Sequence, residues 1–258
     1  MRNFYLLFKP IKNLVLITSF FFVTCSSLLY LYNQRGLVLS YLNPGYRNNN
    51  KIDLKDKDIN YAKKIMRGGY ILHFRHAERD KWIDVQMYDS LESDVHDKGV
   101  NESRYAENDY FGKAVCLNKR GLIQAKAIGE HLKNIKLPVG FVISSPSCRA
   151  RQTAEIAFRG YDKLNRDLVH IGPYSETKSV RTDKLINLYE GLPIIEGKNT
   201  IVSSHNGVIH SQMFENIKGG SLDLEEGGFF IISKKDNKLY LEHEFHNFND
   251  FIRTFYLR

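Results

Sequence analysis

Short apolar runs recur along this chain, and several of them stop abruptly at polar residues. Tyr70–Phe74 runs into Arg75-His76. Val139–Ser144 is apolar until it reaches Ser-Ser-Pro, and Thr200–Ser203 stops at Ser204-His205-Asn206-Gly207. Runs this short, bounded by turn residues and rich in β-branched and aromatic side chains, predict buried strands. Between them the apolar period lengthens to that of a helix. Asn118 is a good N-cap, and Leu122, Ala125, Ile128, Gly129 and Leu132 then share one helical face. Further helices are predicted over 59–67, 149–158, 178–189 and 208–217, and a short strand over 168–171. Phe229–Ser233 and Leu239–Phe245 flank Lys235-Asp236-Asn237 and predict a hairpin. Strands alternating with helices predict an α/β protein, a three-layer α/β/α sandwich on a largely parallel central sheet.

Two segments stand outside this alternation. Leu14–Tyr32 is apolar all round, carries no charge and is long enough to cross a bilayer as a helix. Arg2, Lys9 and Lys12 precede it, whereas Arg35 follows, so the charge bias predicts an N-inside, single-pass anchor. The expected organisation is a cytoplasmic N-terminus over 1–13, an anchor over 14–32, a polar linker over 33–58 and a domain over 59–258 on the non-cytoplasmic, periplasmic side. The second segment is the irregular, acidic and aromatic stretch of about 77–116. A connection of that length inside a compact domain reads as a functional loop or cap. Trp82, Arg79 and Lys81 are its candidate substrate contacts.

Charge narrows the set of partners. Lys and Arg number 37 against 29 Asp and Glu, a formal +8. The surplus favours anionic ligands. The basic residues are scattered, so no nucleic-acid tract is indicated. Cys116 and Cys148 lie outside the apolar run and form no C-x-x-C spacing. They read either as one disulfide of an oxidising compartment or as core thiols. His210, His243 and His246 lack the spacing of a metal site.

The chemistry concentrates at the strand ends. In a parallel sheet the C-terminal ends share one edge, where open α/β sheets place ligands. Arg75, His76, Arg149 and His205 therefore converge. Two arginines and two histidines around one point make a pocket for a dianion such as a phosphoryl group. Neutral imidazole can attack phosphorus while guanidinium forks hold its oxygens. Helix N-termini near 149 and 206 would add N–H donors. Taken singly, each residue has a blander reading: a salt-bridged strand end for Arg75 and His76, a helix pair for Arg149, a hydrogen-bonded core histidine for His205. His73, two residues before Arg75, reads as a core histidine too.

Four motifs in order change that balance. Arg75-His76-Ala77, then Leu117-Asn118-x-x-Gly121-x-x-Gln124-Ala125, then Ser145-Pro146-x-x-Arg149-Ala150-x-x-Thr153-Ala154, and finally Ser204-His205-Asn206-Gly207 span roughly residues 69 to 233. This pattern resembles the histidine phosphatase superfamily, which includes the phosphoglycerate mutases. The resemblance implies a phosphoglycerate mutase-like fold and a phosphohistidine intermediate on His76. It implies that Arg75, Arg149 and His205 bind the phosphoryl oxygens, with Asn206 as a further contact. It also implies an acidic proton donor, for which Glu176 is the first choice and Glu78, Asp80 and Asp109 are alternatives. No metal and no cofactor is implied. Ala77 stands where the family carries glycine, and Ser204 and Asn206 flank His205 where glycines are common.

These readings predict a membrane-anchored, metal-independent phosphomonoester phosphatase. A phosphorylated small molecule or glycan, such as an envelope precursor, is its expected substrate. A non-catalytic phosphate- or glycan-binding accessory protein of envelope assembly, a protein phosphatase and a mutase are the rival readings.

Overall fold

The computed structural model describes residues 56–80, 115–169 and 177–256. The chain divides into two compact units, 1–53 and Leu54–Arg258, and the second holds every described element. The apolar run Leu14–Tyr32 and most of the 77–116 insertion lie outside the described residues. Among the described residues no helix is long and apolar enough to cross a membrane.

Six strands form one sheet: β1 (Ile71–Arg75), β2 (Val139–Ser144), β3 (Lys163–Leu164), β4 (Asn199–Ser204), β5 (Phe229–Lys235) and β6 (Lys238–Phe245). Their order is β3-β2-β4-β1-β5-β6. The first four run parallel, while β5 is antiparallel to β1 and to β6. The sheet is therefore mixed rather than largely parallel. The hairpin that the sequence predicts does not stand apart; it extends the sheet along the β1 edge.

Among the described residues five helices accompany the strands: α1 (Asp56–Ile65), α2 (Lys119–Asn134), α3 (Cys148–Phe158), α4 (Lys178–Glu190) and α5 (Phe248–Tyr256). The two faces of β1 bury different cores. Leu72 and Phe74 join Ile65, Ile128, Leu132, Ala154 and Phe251, so α1, α2, α3 and α5 cover one face. Ile71 joins Val202, Leu185, Tyr189 and Phe230 on the face covered by α4. A central strand buried on both faces is apolar without alternation, as this one is. On α2 the buried face is Gly121, Ala125, Ile128 and Leu132, and Leu122 is exposed instead. Gly129 brings α2 against α3, since a Cβ there would stand 2.9 Å from the Ala157 carbonyl oxygen.

Of the strand expected over 168–171, residues 170 and 171 lie outside the described residues, and Leu168 closes a 3-10 turn, Arg166–Leu168, that follows β3. The Asn165 side chain accepts from the Asp167 N–H at 2.8 Å and starts that turn. The helix expected over 208–217 shrinks to the 3-10 turn Ser211–Met213. Its continuation is drawn onto the open edge of β6: the Glu215 N–H donates to Leu239 O, and Asn216 exchanges two hydrogen bonds with the Leu241 backbone. Covering a strand edge in this way removes a row of unpaired backbone groups.

Candidate active site

The parallel strands β1, β2 and β4 bring their C-terminal ends to one edge. Arg75 pairs with Ser204 in register, and Ser144 with Ser203. The His76 N–H donates to Ser204 O at 2.9 Å, and the Ser145 N–H donates to Ser203 O at 2.9 Å. Backbone pairing thus continues one residue past each strand and holds the chemical groups side by side.

His76 is 4% exposed, His205 1% and Arg149 2%, so all three are taken out of bulk water. The His76 and His205 ring centroids stand 5.2 Å apart at 64°. His76 Nδ1 faces the Ala77 carbonyl oxygen at 2.7 Å. A carbonyl only accepts, so Nδ1 carries the proton and Nε2 carries the lone pair. Burial holds the His76 pKa well below the ordinary histidine value; Arg149, Arg75 and Arg79 push the same way, against the Ala77 hydrogen bond. The geometry therefore supplies a neutral imidazole with a defined nucleophilic nitrogen.

Ala77 follows without a positive φ, which is why a side chain is accepted where the family carries glycine. Its N–H donates to Thr153 Oγ1 at 3.0 Å, and Thr153 Oγ1 donates to Arg149 O at 2.7 Å. Thr153 thus ties the loop after His76 to α3. That helix begins at Cys148, next to Arg149. Cys148 is bonded to Cys116, so the end of the insertion is joined covalently to the residue preceding Arg149. Of the two helix starts expected at the site, the one near 149 is present, and a turn stands in place of the one near 206.

His205 Nε2 lies 3.0 Å from Ser145 Oγ. Behind it is His73, buried as the sequence suggests but not inert. Its Nδ1 meets Tyr189 Oη at 2.5 Å, and its ring also hydrogen-bonds the His205 backbone. Burial lowers the His73 pKa to about 4, so the ring is neutral at pH 7.

Residues 223–227 form a wall that sequence reasoning missed. Arg75 Nη1 donates to Leu224 O, and Nη2 reaches Glu226 Oε1 at 3.2 Å. The Gly227 N–H donates to the carbonyls of Arg75 and His76, both at 3.2 Å. Asn206, expected on substrate, has its side chain engaged with Asp223 and with both backbone groups of Leu224. Gln124 links the wall to the loop after His76, accepting from the Glu78 N–H at 2.9 Å and donating to Glu226 O at 2.7 Å. Arg75 Nε is buried and takes no partner among the described residues. A signal for this wall was the Asp223–Glu226 run, which compensates an arginine at a strand end.

The candidate proton donors are placed differently from one another. Glu176 and Asp109 lie outside the described residues, as do Trp82 and Lys81. Glu78 and Asp80 both accept from Asn118 Nδ2, at 3.1 and 3.0 Å, and Glu78 also pairs with Arg120. They fasten the start of α2. Among the described residues no group of three or more His, Cys, Asp or Glu side chains is gathered to hold a metal ion.

The model of the histidine phosphatase superfamily (branch 1) matches residues 75–167, from the strand-end arginine through α3. The matched stretch carries Arg75, His76 and Arg149, and it marks the protein as a phosphatase-class enzyme. No curated protein matches it. Solved structures that resemble it include the protein histidine phosphatase SixA complexed with tungstate, at 14% identity over 70% of this chain and 98% of that one, TM-score 0.44. TTHB049 from Thermus thermophilus aligns at 16% identity over 67% and 97%, TM-score 0.39. The Rv3214 product of Mycobacterium tuberculosis aligns at 16% over 69% and 100%, TM-score 0.40.

Proposed function

We propose that this histidine phosphatase hydrolyses phosphomonoesters through a phosphohistidine on His76, without a metal. The observation that carries the reading is the His76 tautomer: a buried, neutral imidazole with its proton held on Nδ1 by Ala77. Nε2 attacks phosphorus and the P–O bond to the leaving group breaks in line. Arg149, Arg75 and His205 offset the charge on the phosphoryl oxygens. Glu176 gives the leaving oxygen its proton. Water then gives a proton to the Glu176 carboxylate as it attacks the phosphohistidine, the N–P bond breaks, phosphate departs and His76 returns to its neutral form.

We place the catalytic domain outside the cytoplasm, tethered through Leu14–Tyr32, with a phosphorylated glycan or envelope precursor as substrate. The uncharged apolar run and the preceding basic residues support the tether. The Cys116–Cys148 disulfide supports the compartment, since such bonds persist where the surroundings are oxidising. The test is phosphate release from an aryl phosphate in the presence of EDTA. Turnover that disappears in His76→Ala supports the mechanism; equal turnover in that variant sinks it.

A further inference from the structure

A second cavity, of about 250 Å³, lies beside the phosphoryl site. Lys178, His210, Ser211, Gln212, Ser221 and the Gly207 backbone line it, and among the described residues no carboxylate does. Its position follows from the chain. Gly207 is two residues beyond His205, so their Cα atoms are at most about 7.6 Å apart. On the other wall, Leu222 precedes Asp223, which accepts from Asn206. The bridge from Asn206 to Asp223 and Leu224 therefore partitions this cavity from the Arg75 side of the phosphoryl site.

Among the described residues, the charges at the cavity are positive. Lys178 supplies an exposed ammonium, and Arg181 sits one turn further along α4 with its guanidinium on Val169 O. Both cations bear on His210, adding to the effect of burial in lowering its pKa. His210 is thus a neutral donor or acceptor near neutral pH, next to hydroxyls and an amide. The mechanism above uses none of these groups.

We propose that this cavity is a subsite for an anionic group carried on the leaving side of the substrate, so that the favoured substrates are phosphomonoesters with a second negative charge. The proposal rests on the phosphatase reading and adds a substrate class to it. With the phosphoryl group between His76 and His205, the esterified alcohol lies over residues 205–207. A carboxylate or phosphate on that alcohol then meets Lys178, with Ser211 and Ser221 as neutral donors.

The test uses the full-length protein and three matched esters: phenyl phosphate, its meta-carboxy derivative and its meta-phosphono derivative. The readout is the ratio of kcat/KM for each charged ester to that for phenyl phosphate. Lys178→Gln is expected to lower the ratio about fivefold, through KM, the worth of one partly exposed charge pair. Lys178→Glu lowers it further, Lys178→Arg restores it, and raised salt mimics Lys178→Gln. A fall for both charged esters defines a general anion subsite, and a fall for the phosphono ester alone a dianion subsite. Ratios that do not move in Lys178→Gln and Lys178→Glu overturn the proposal. Calorimetric binding of the same esters to His76→Ala, with and without Lys178→Glu, keeps the two readings apart. Absence of turnover in the wild type would refute the phosphatase reading, while binding would still report on the subsite.

Discussion

At the scale of the residue, the decisive feature is one proton on one nitrogen. The Ala77 carbonyl fixes the His76 tautomer, and burial beside Arg149 keeps the ring neutral. The acid limb of kcat/KM, where it reports this nucleophile, is therefore expected below the ordinary histidine value of 6.5. Arg149→Gln removes a cation that disfavours imidazolium. It should shift that limb toward higher pH while lowering kcat about a hundredfold or more. A pH–rate profile of the two proteins checks both statements. His73 allows a matching statement about stability. Its pKa falls from 6.5 unfolded to about 4 folded, so the unfolded chain binds the extra proton between those values. Its contribution is fully present above pH 6.5 and declines as pH falls toward 4, by on the order of 3 kcal/mol. Urea midpoints measured across that range should flatten in the double variant His73→Leu with Tyr189→Phe, which removes both hydrogen-bonding partners together.

At the scale of the element, α2 and α3 hold the loop after His76 from two sides. Gly121 lets α2 sit directly on that loop, because a Cβ there would stand 1.9 Å from Glu78 O. Gly121→Ala is expected to displace the loop after His76 and to cut kcat more than it raises KM. Unchanged steady-state constants would refute that role. The disulfide closes a separation of 32 residues, and its removal by Cys116→Ala with Cys148→Ala should cost roughly 3–4 kcal/mol in denaturant unfolding. The legibility of the sequence varied with the kind of information each element needed. Strands β1, β2 and β4 were readable because each carries a short apolar run, Ile71-Leu72, Phe141–Ile143 and Ile201-Val202, close to the polar residues that end it. Helix α2 was readable from its N-cap and period, although Leu122 faces outward and Gly121 inward. The segment 208–217 has helical spacing, but its use on the β6 edge depends on a strand that follows it in sequence. No local pattern carries that. The 223–227 wall shows in sequence only as an acidic run, and its partner is an arginine about 150 positions earlier. His76, Arg149 and His205 were legible because each ends a strand or begins a helix. Asn206 follows His205 directly, but its hydrogen-bonding capacity goes to the wall.

At the scale of the whole molecule, the described groups of the site all belong to the unit Leu54–Arg258. That unit is expected to keep its kcat when produced without residues 1–53, whereas the full chain should partition into membranes. Fractionation of both forms, with assays on each fraction, tests the division of labour between tether and catalyst. The surplus of +8 adds a general attraction for anions, and the cavity at Lys178 and His210 turns part of it into a defined contact.

The central claim is the covalent intermediate, and it is tested most directly by trapping it. The wild type and His76→Ala are mixed with a radiolabelled phosphomonoester, quenched in alkali within the first turnover, digested and mapped. The account predicts a base-stable, acid-labile phosphoryl adduct on the peptide that contains His76, and none in the variant. An adduct on another residue, or steady turnover with no adduct in the wild type, would contradict it.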